Sequence, residues 1–240
     1  YYVYIKSFQK YVHFCCTTML GYVMAMFVLF AKSGGFNLDP RYAVVFDEPP
    51  GQHGSYFGYA VNFWRQSENQ NWLIVGAPTG KNQTGIQMGI VYKCQVKRGG
   101  SCYDLNVDNS PDKKRLEVDN SWDLKNNSWI GGTIVTDNNI GGMLFVSGFR
   151  FLKQRGKEEH LTYLIQGNCY YKSGNATTFR RLKLTEAGDN FRDKTDFIHN
   201  FGQHGFSAEF IENSTYLLVG GPGLNTWEGG ILLYKYSRSQ

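Results

Sequence analysis

The side chains that most often carry out chemistry in proteins are few in this chain, and their spacing does not predict a reaction. His199 and His204 have a His-x4-His spacing, but no nearby cysteine and no Glu-x-x-His pattern accompanies them, so the pair does not indicate a metal site. A Gly-x-Ser-x-Gly nucleophile elbow, a Walker loop and a dinucleotide-binding fingerprint are all missing from the sequence. We therefore expect no enzymatic activity, no catalytic residue and no cofactor in this segment.

One acidic stretch has the alternating spacing of a calcium loop. It contains Asp119, Ser121 and Asp123, but the glycine and the downstream bidentate acid that complete such a loop are missing. We interpret the stretch as a solvated turn, and we predict no metal site in this chain.

The positive charge of the chain is spread too thinly to indicate nucleic-acid binding. The formal net charge is +5 over 240 residues, and the tight basic runs are Lys113 to Arg115 and the pair Arg180 and Arg181. We interpret both runs as solvated loops. The negative mean hydropathy also argues against a polytopic membrane protein.

The cysteines favour an oxidising compartment. Cys94 and Cys102 flank a short turn that contains two glycines, and this spacing suits a local disulfide that closes a hairpin. Cys169 is then left over, either as a buried free thiol or as the partner of a cysteine outside this segment.

The first 35 residues predict a secretory signal peptide. The stretch 11–31 carries no charged side chain, two lysines precede it, and small residues that suit cleavage before Phe36 follow it. An uncleaved membrane anchor is the alternative, because about 20 apolar residues could also span a bilayer. Secretion agrees with the presence of four glycosylation sequons. Their asparagines are Asn82, Asn126, Asn175 and Asn213.

The strongest pattern in the chain is a repeat. Gly58, Gly131 and Gly205 open similar segments about 73 residues apart. In the first and last copies a short apolar run leads to Gly-Ala-Pro at 76–78 and to Gly-Gly-Pro at 220–222. Repetition of strand-rich units at a fixed spacing indicates a propeller or an array rather than one globular fold.

The segments between the turns predict an all-β fold. Stretches such as 72–75, 89–92, 216–219 and 231–236 are β-branched or aromatic and are bounded by turn residues. After Phe36 no stretch keeps the 3.6-residue apolar period of a helix. A single such sheet cannot bury both of its faces, so stacking on neighbouring sheets must supply the core.

These repeats resemble the FG-GAP repeats of integrin alpha subunits, and further landmarks follow in the order of that family. The landmarks are Phe36 to Pro40, Gly89 to Cys94, Cys102 to Leu105, Trp129 to Gly131, Gly167 to Tyr170 and Gly220 to Gly229. The resemblance implies an incomplete β-propeller over 36–240, with about three of seven blades and repeats near 36–105, 106–172 and 173–240. The calcium loops of that family belong to later blades. Its second repeat carries a cysteine where this chain has Ser147.

The resemblance implies a cell-adhesion receptor subunit. Such a subunit pairs with an integrin beta subunit, binds an extracellular-matrix protein, and is held at the plasma membrane through a carboxyl-terminal part that this segment does not include. The alternative is a secreted FG-GAP propeller protein of another class, such as the propeller of a phospholipase. The stretch from Phe36 to Pro40 and the Cys94–Cys102 hairpin favour the integrin group.

In that family, aromatic side chains on one rim of the propeller close around a basic residue of the beta subunit. The position after the repeat glycine is Tyr59 in the first repeat and Phe206 in the third, whereas the second repeat has Gly132 there. Phe149, just past the core strand of the second repeat, is a further candidate. An aromatic face attracts a desolvated cation by roughly 2 kcal/mol. Packing between blades is the alternative role for Tyr59 and Phe206.

Loops around the third repeat supply the ligand contacts in that family. Asp193 and Asp196 precede Phe206 in this chain, and Thr226 and Trp227 follow the Gly-Gly-Pro segment. Carboxylates in this region would bind the arginine of an Arg-Gly-Asp ligand in a bidentate ion pair. A laminin-type or other matrix ligand is equally open.

Overall fold

β-Strands dominate the part of the chain that the structure, a computed structural model, describes, namely residues 39–116, 121–156, 160–183, 197–212 and 215–235. The helical segments within these ranges are a 3-10 helix (Pro40–Tyr42), a short α-helix α1 (Phe197–Asn200) and a short left-handed turn, α2 (Leu224–Trp227), in which the last three residues have positive φ. None of them has the length and apolar character needed to cross a membrane. The proposed signal peptide, Asn213 and the two candidate ligand carboxylates Asp193 and Asp196 lie outside the described residues.

The chain divides into two compact units, 1–43 and 44–240. The first unit is described at 39–43, where the guanidinium of Arg41 donates hydrogen bonds of 2.6 to 3.0 Å to the carboxylate of Asp39. The strands of the described residues all lie in the second unit.

Three antiparallel sheets follow one another along the second unit. In the first blade the strand order is β1 (Val61–Ser67), β2 (Gln70–Ala77), β3 (Ile90–Gln95) and β4 (Cys102–Asp104). In the second blade it is β7 (Thr133–Thr136), β8 (Leu144–Gly148), β11 (Asn168–Lys172) and β12 (Arg180–Arg181). In the third blade it is β13 (Ser207–Ile211), β14 (Tyr216–Gly221) and β15 (Gly230–Lys235). A row of antiparallel sheets that bury their faces against each other is the incomplete β-propeller that the sequence predicts.

A fourth sheet was not predicted from the sequence. Its order is β10-β9-β6-β5, and its strands are β5 (Lys114–Leu116), β6 (Ser121–Leu124), β9 (Leu152–Arg155) and β10 (Thr162–Ile165). Two of these strands come from the connection between the first and second blades, and two come from the connection between β8 and β11. We call it the inserted sheet.

The strand assignments correct two interpretations made from the sequence. The presumed solvated turn contains Ser121 and Asp123, which are buried in β6, and a carboxylate oxygen of Asp123 lies 2.5 Å from the guanidinium of Arg181. The basic runs are not entirely loops, because Lys114 and Arg115 lie in β5 of the inserted sheet and Arg180 with Arg181 forms β12 of the second blade. Asp119 lies outside the described residues.

The repeat glycines have the same backbone role in each blade. All three are in the left-handed region, with φ of 92° at Gly58, 88° at Gly131 and 84° at Gly205, where a residue with a Cβ is strained. Each N–H donates a 3.0 Å hydrogen bond to a carbonyl near the end of the second strand of its blade, on Gly76, Ser147 and Gly220. Each copy of the sequence repeat therefore forms one such hydrogen bond.

The core lies between neighbouring blades. Alternate residues of β2 point to opposite faces of the first blade. Ile74 packs in a cluster that the first and second blades share, and Val75 packs in a separate cluster on the other face. The second and third blades share another cluster, which consists of Val135, Phe145, Cys169, Leu217 and Val219. The first two blades approach so closely that a Cβ on Gly76 would lie 2.0 Å from the carbonyl oxygen of Gly131.

Candidate partner-binding surface

The turn that enters each blade brings one side chain to the same rim. Tyr59 donates its N–H to the carbonyl of Tyr56, and Phe206 donates to that of Gln203, at 3.0 and 3.1 Å. In the second blade Gly132 makes the same 2.9 Å bond to Trp129. The first residue of each turn has a positive φ, so the three turns share one geometry. Tyr59, Gly132 and Phe206 are therefore structurally equivalent.

A continuous aromatic row crosses the three blades along these turns. The ring centroids of Tyr59 and Trp129 are 5.3 Å apart, those of Trp129 and Phe149 are 5.7 Å apart, and those of Phe149 and Phe206 are 4.9 Å apart. We call these four residues the aromatic row. Tyr56 adds an edge contact to Trp129 at 6.3 Å. The structure thus brings together the three aromatic residues that the sequence singled out.

The two ends of the row are open to solvent. Tyr59 is 52% exposed and Phe206 is 53% exposed, so neither side chain is buried between blades. Phe149 is buried, with 7% exposure, and its ring contacts those of Trp129 and Phe206. Large exposed aromatic side chains in contact with one another are unusual on a monomer surface and mark binding sites.

Phe149 compensates for the missing side chain at Gly132. A Cβ on Gly132 would lie 2.6 Å from Cε1 of Phe149, so the Phe149 ring lies against the bare backbone at the position where the other two blades carry an aromatic residue. The row is therefore continuous across the second blade, where the sequence indicated a gap.

The row already holds one cation of the chain itself. The guanidinium carbon of Arg150 lies 5.0 Å from the centroid of the Trp129 ring, which is within the range of a cation–π contact. The exposed rings of Tyr59 and Phe206 have no such cation among the described residues. This arrangement can accept a basic group from another molecule at either end of the row.

Trp129 is the member of the row that sequence reasoning missed. In the sequence it is a landmark of the repeat without a predicted role. Its position is equivalent to that of Tyr56, and an aromatic residue at the first position of two entry turns was the available signal.

The loop after β14 has an exposed tip with a constrained backbone. Asn225, Thr226 and Trp227 have φ of 52°, 56° and 72°, and three successive left-handed residues that are not glycine are costly and often occur at functional sites. Trp227 is 59% exposed, and its ring stacks on Phe201 at 5.8 Å. Of the candidate ligand residues, Thr226 and Trp227 thus lie together at this tip.

The histidine pair is a buried structural contact. His204 is fully buried, and its Nδ1 lies 2.7 Å from the carbonyl oxygen of Gln166. The His199 ring stacks on it, with Nδ1 3.3 Å from Nε2 of His204. Burial lowers the pKa of His204 to about 4, with a smaller effect from His199, so the ring is neutral at pH 7. The described residues contain no group of three or more side chains suited to holding a metal ion.

The predicted disulfide between Cys94 and Cys102 is confirmed. Cys94 and Cys102 face each other on β3 and β4 and form a disulfide. Cys169 is a buried free thiol, directly opposite Ser147 in the pairing of β11 with β8. Burial raises the pKa of the Cys169 thiol strongly, so the thiol is protonated and unreactive.

A buried ionic group fixes the connection between the first two blades. Lys125 is 1% exposed, and its ammonium lies 2.6 Å from a carboxylate oxygen of Asp108. The other oxygen of Asp108 accepts a 2.7 Å hydrogen bond from the hydroxyl of Tyr170 in β11. Burial acts to raise the pKa of Asp108, but the hydrogen bonds from Lys125, Tyr170 and Ser110 lower it overall. These contacts hold the segment that leads to Trp129.

Three of the four sequon asparagines lie within the described residues. Asn126 and Asn175 are exposed. Asn82 is half-buried, and its side-chain oxygen accepts hydrogen bonds from Thr84 and Ile86. Glycans on Asn126 and Asn175 would extend into solvent.

Comparison with characterised proteins finds integrin alpha subunits, although no family model matches the chain. The chain is 29% identical to integrin alpha-5 of Xenopus laevis over 222 residues, which are 90% of this chain and 20% of that protein. It is 27% identical to integrin alpha-PS3 of Drosophila melanogaster over 91% of this chain and 21% of that protein. For integrin alpha pat-2 of Caenorhabditis elegans the identity is 28%, over 88% of this chain and 17% of that protein.

These matches confirm the resemblance to integrin alpha subunits that the repeats indicate. The chain spans about a fifth of the length of these relatives.

Proposed function

We propose that this chain is the amino-terminal part of the extracellular head of an integrin alpha subunit, a cell-adhesion receptor at the plasma membrane. Residues 1–35 are its secretory signal, and three FG-GAP repeats at about 36–105, 106–172 and 173–240 form blades of its propeller. The subunit pairs with an integrin beta subunit through the aromatic row. Its proposed glycans are on Asn82, Asn126, Asn175 and Asn213.

The aromatic row is the observation that carries this proposal. Four rings from three blades are in contact along one rim, and both end members are half exposed. A basic side chain placed over such rings is desolvated by the partner surface, where a cation–π contact contributes about 2 kcal/mol. The relatives support this kind of partner, because the proteins that this chain resembles are integrin alpha chains, and an alpha chain implies a beta chain.

The test is the double variant Tyr59→Ala/Phe206→Ala in the full-length chain, expressed with a beta subunit. Loss of one cation–π contact corresponds to roughly thirtyfold in affinity, so co-precipitation of the beta subunit and delivery to the cell surface should fall strongly. A conformation-specific antibody should bind the variant as well as the wild type, because the two side chains are exposed.

The matched control is Trp122→Ala/Tyr163→Ala, which removes two exposed aromatic side chains from the inserted sheet. Pairing should be normal in this variant. Normal pairing in Tyr59→Ala/Phe206→Ala, or equal loss in the control, would contradict the role of the row.

We also propose that the tip of the loop after β14 contacts the matrix ligand, through Thr226 and Trp227. The exposure of Trp227 and the constrained backbone beneath it support this role. Trp227→Ala in the full-length receptor should reduce adhesion to matrix protein by about tenfold or more in affinity, as expected for an aromatic anchor, while pairing with the beta subunit is unchanged. Unchanged adhesion across a panel of matrix proteins would exclude the loop.

A further inference from the structure

A cavity of about 490 Å³ lies between the second and third blades. It is lined by the ends of β11, β12 and β15 and by side chains next to β8 and on β14. Its volume lies within the range of about 300 to 1,000 Å³ that is typical of sites for small molecules. It shares no lining residue with the aromatic row or with the loop tip at Trp227.

The charged residues that line this cavity are all basic. Lys172, Arg180 and Lys235 line it, and none of its lining residues is Asp or Glu. Within the described part of the chain, none of these three cations forms an ion pair with a carboxylate. A cleft lined by cations concentrates the positive potential and attracts anions.

Lys172 is less exposed than the other two cations, and its ammonium is turned towards the first blade, 6.0 Å from the centroid of the Trp64 ring. Its ammonium is 5.6 Å from the centroid of the Phe179 ring and 3.5 Å from the carbonyl oxygen of Thr177. Burial lowers the pKa of Lys172, and the neighbouring charge of Lys93 lowers it further. Arg180 and Lys235, which are both exposed, therefore supply the charge that an anion in the cavity would meet.

The rest of the lining is suited to an apolar body. Leu182 and the rings of Tyr171 and Tyr234 are partly exposed in the wall of the cavity, whereas Met143 and Leu217 line it with little exposed surface. A fully hydrated inorganic ion would leave this apolar surface uncovered. The combination of cations and apolar wall favours an amphiphilic anion.

We propose that this cavity binds a small organic anion, whose carboxylate, sulfate or sulfonate group is held by Arg180 and Lys235 and whose apolar body packs on Leu182 and the rings of Tyr171 and Tyr234. This site is independent of pairing with a beta subunit and of matrix binding, and it gives the propeller a small-molecule site on the surface between two blades.

The test uses naphthalene-2-sulfonate as the probe and naphthalene-2-sulfonamide as its uncharged analogue, in equilibrium dialysis against the purified full chain. The sulfonate should bind more tightly than the sulfonamide, and its affinity should fall as the salt concentration rises. In the variant Arg180→Gln/Lys235→Gln the affinity for the sulfonate should fall by about tenfold, because two partly exposed charges are lost.

The matched control is Lys81→Gln/Lys97→Gln, which removes two exposed lysines away from the cavity and should leave the affinity unchanged. The salt dependence of the wild type needs no variant, so it tests the proposal even if a substitution impairs folding. Equal binding of sulfonate and sulfonamide, no binding of the sulfonate at millimolar concentration, or equal weakening in the control would each overturn the proposal.

Discussion

At the scale of single residues, Gly132 determines how the aromatic row crosses the second blade. The equivalent positions in the other blades carry Tyr59 and Phe206, which rise from the turn itself. In the second blade the ring comes instead from Phe149, and it occupies the space that a side chain at Gly132 would need. Positions 132 and 149 are therefore coupled, because a side chain at position 132 and the Phe149 ring would occupy the same space.

This coupling predicts a non-additive pair of substitutions. Gly132→Ala places a methyl group 2.6 Å from the buried Phe149 ring, and such overpacking typically costs about 1 to 3 kcal/mol of stability. Adding Phe149→Ala should remove the clash, so Gly132→Ala should cost far less in that background. Urea unfolding of the four proteins of this double-mutant cycle measures the coupling. Equal costs of Gly132→Ala in both backgrounds would show that the Phe149 ring moves freely.

Part of this site was predictable from the residues and part was not. Tyr59 and Phe206 were predictable because the resemblance to integrin alpha subunits marks the position after the repeat glycine, and the structure gives that position the same turn in each blade. Trp129 was missed because its turn position is filled by Tyr56 in one blade and by Gln203 in another, so no single residue type marks it. Asp123 was misread as solvated because its partner, Arg181, is distant in sequence and was itself interpreted as a loop residue.

At the scale of elements, the blades were predictable and the inserted sheet was not. The strands of the blades are apolar because neighbouring blades cover their faces, and turn residues mark their ends. The inserted strands are short, and several of their inward-facing residues are polar, including Ser121, Asp123 and Lys153. Their stability depends on hydrogen bonds and ion pairs that form between distant segments, and such pairing leaves little periodicity in the sequence.

Strand register in the second blade also predicts a disulfide that this chain lacks. Ser147 lies directly opposite Cys169, as Cys94 lies opposite Cys102, and that second pair is bridged with its Cα atoms 4.0 Å apart. The substitution Ser147→Cys should therefore give a bond between positions 147 and 169. Peptide mapping without reduction measures it, and two free thiols would contradict the register argument. Val146→Cys is the matched control, since its side chain lies on the opposite face of β8 and should remain unbridged.

At the scale of the whole molecule, the third blade presents one apolar face that nothing covers among the described residues. Leu232 and Tyr234 of β15 pack towards the second blade. Ile231 and Leu233 alternate with them on the opposite face, and they are 69% and 59% exposed. An apolar strand face of this kind is a site for association. Under the proposed function, a further blade of a longer chain covers this face.

If a further blade covers this face, lysines at positions 231 and 233 should improve the behaviour of the isolated fragment and impair that of the full-length chain. Ile231→Lys/Leu233→Lys should reduce the self-association of an isolated 36–240 fragment, measured by light scattering, because charges replace the apolar face. In the full-length chain the same lysines would be buried unpaired against the next blade, and burial of unpaired charge is strongly destabilising. Delivery to the cell surface should therefore fall sharply. Leu161→Lys/Tyr163→Lys on the inserted sheet is the matched control and should leave delivery unchanged. Normal delivery of Ile231→Lys/Leu233→Lys would mean that the face is open to solvent in the complete protein, so no further blade packs there.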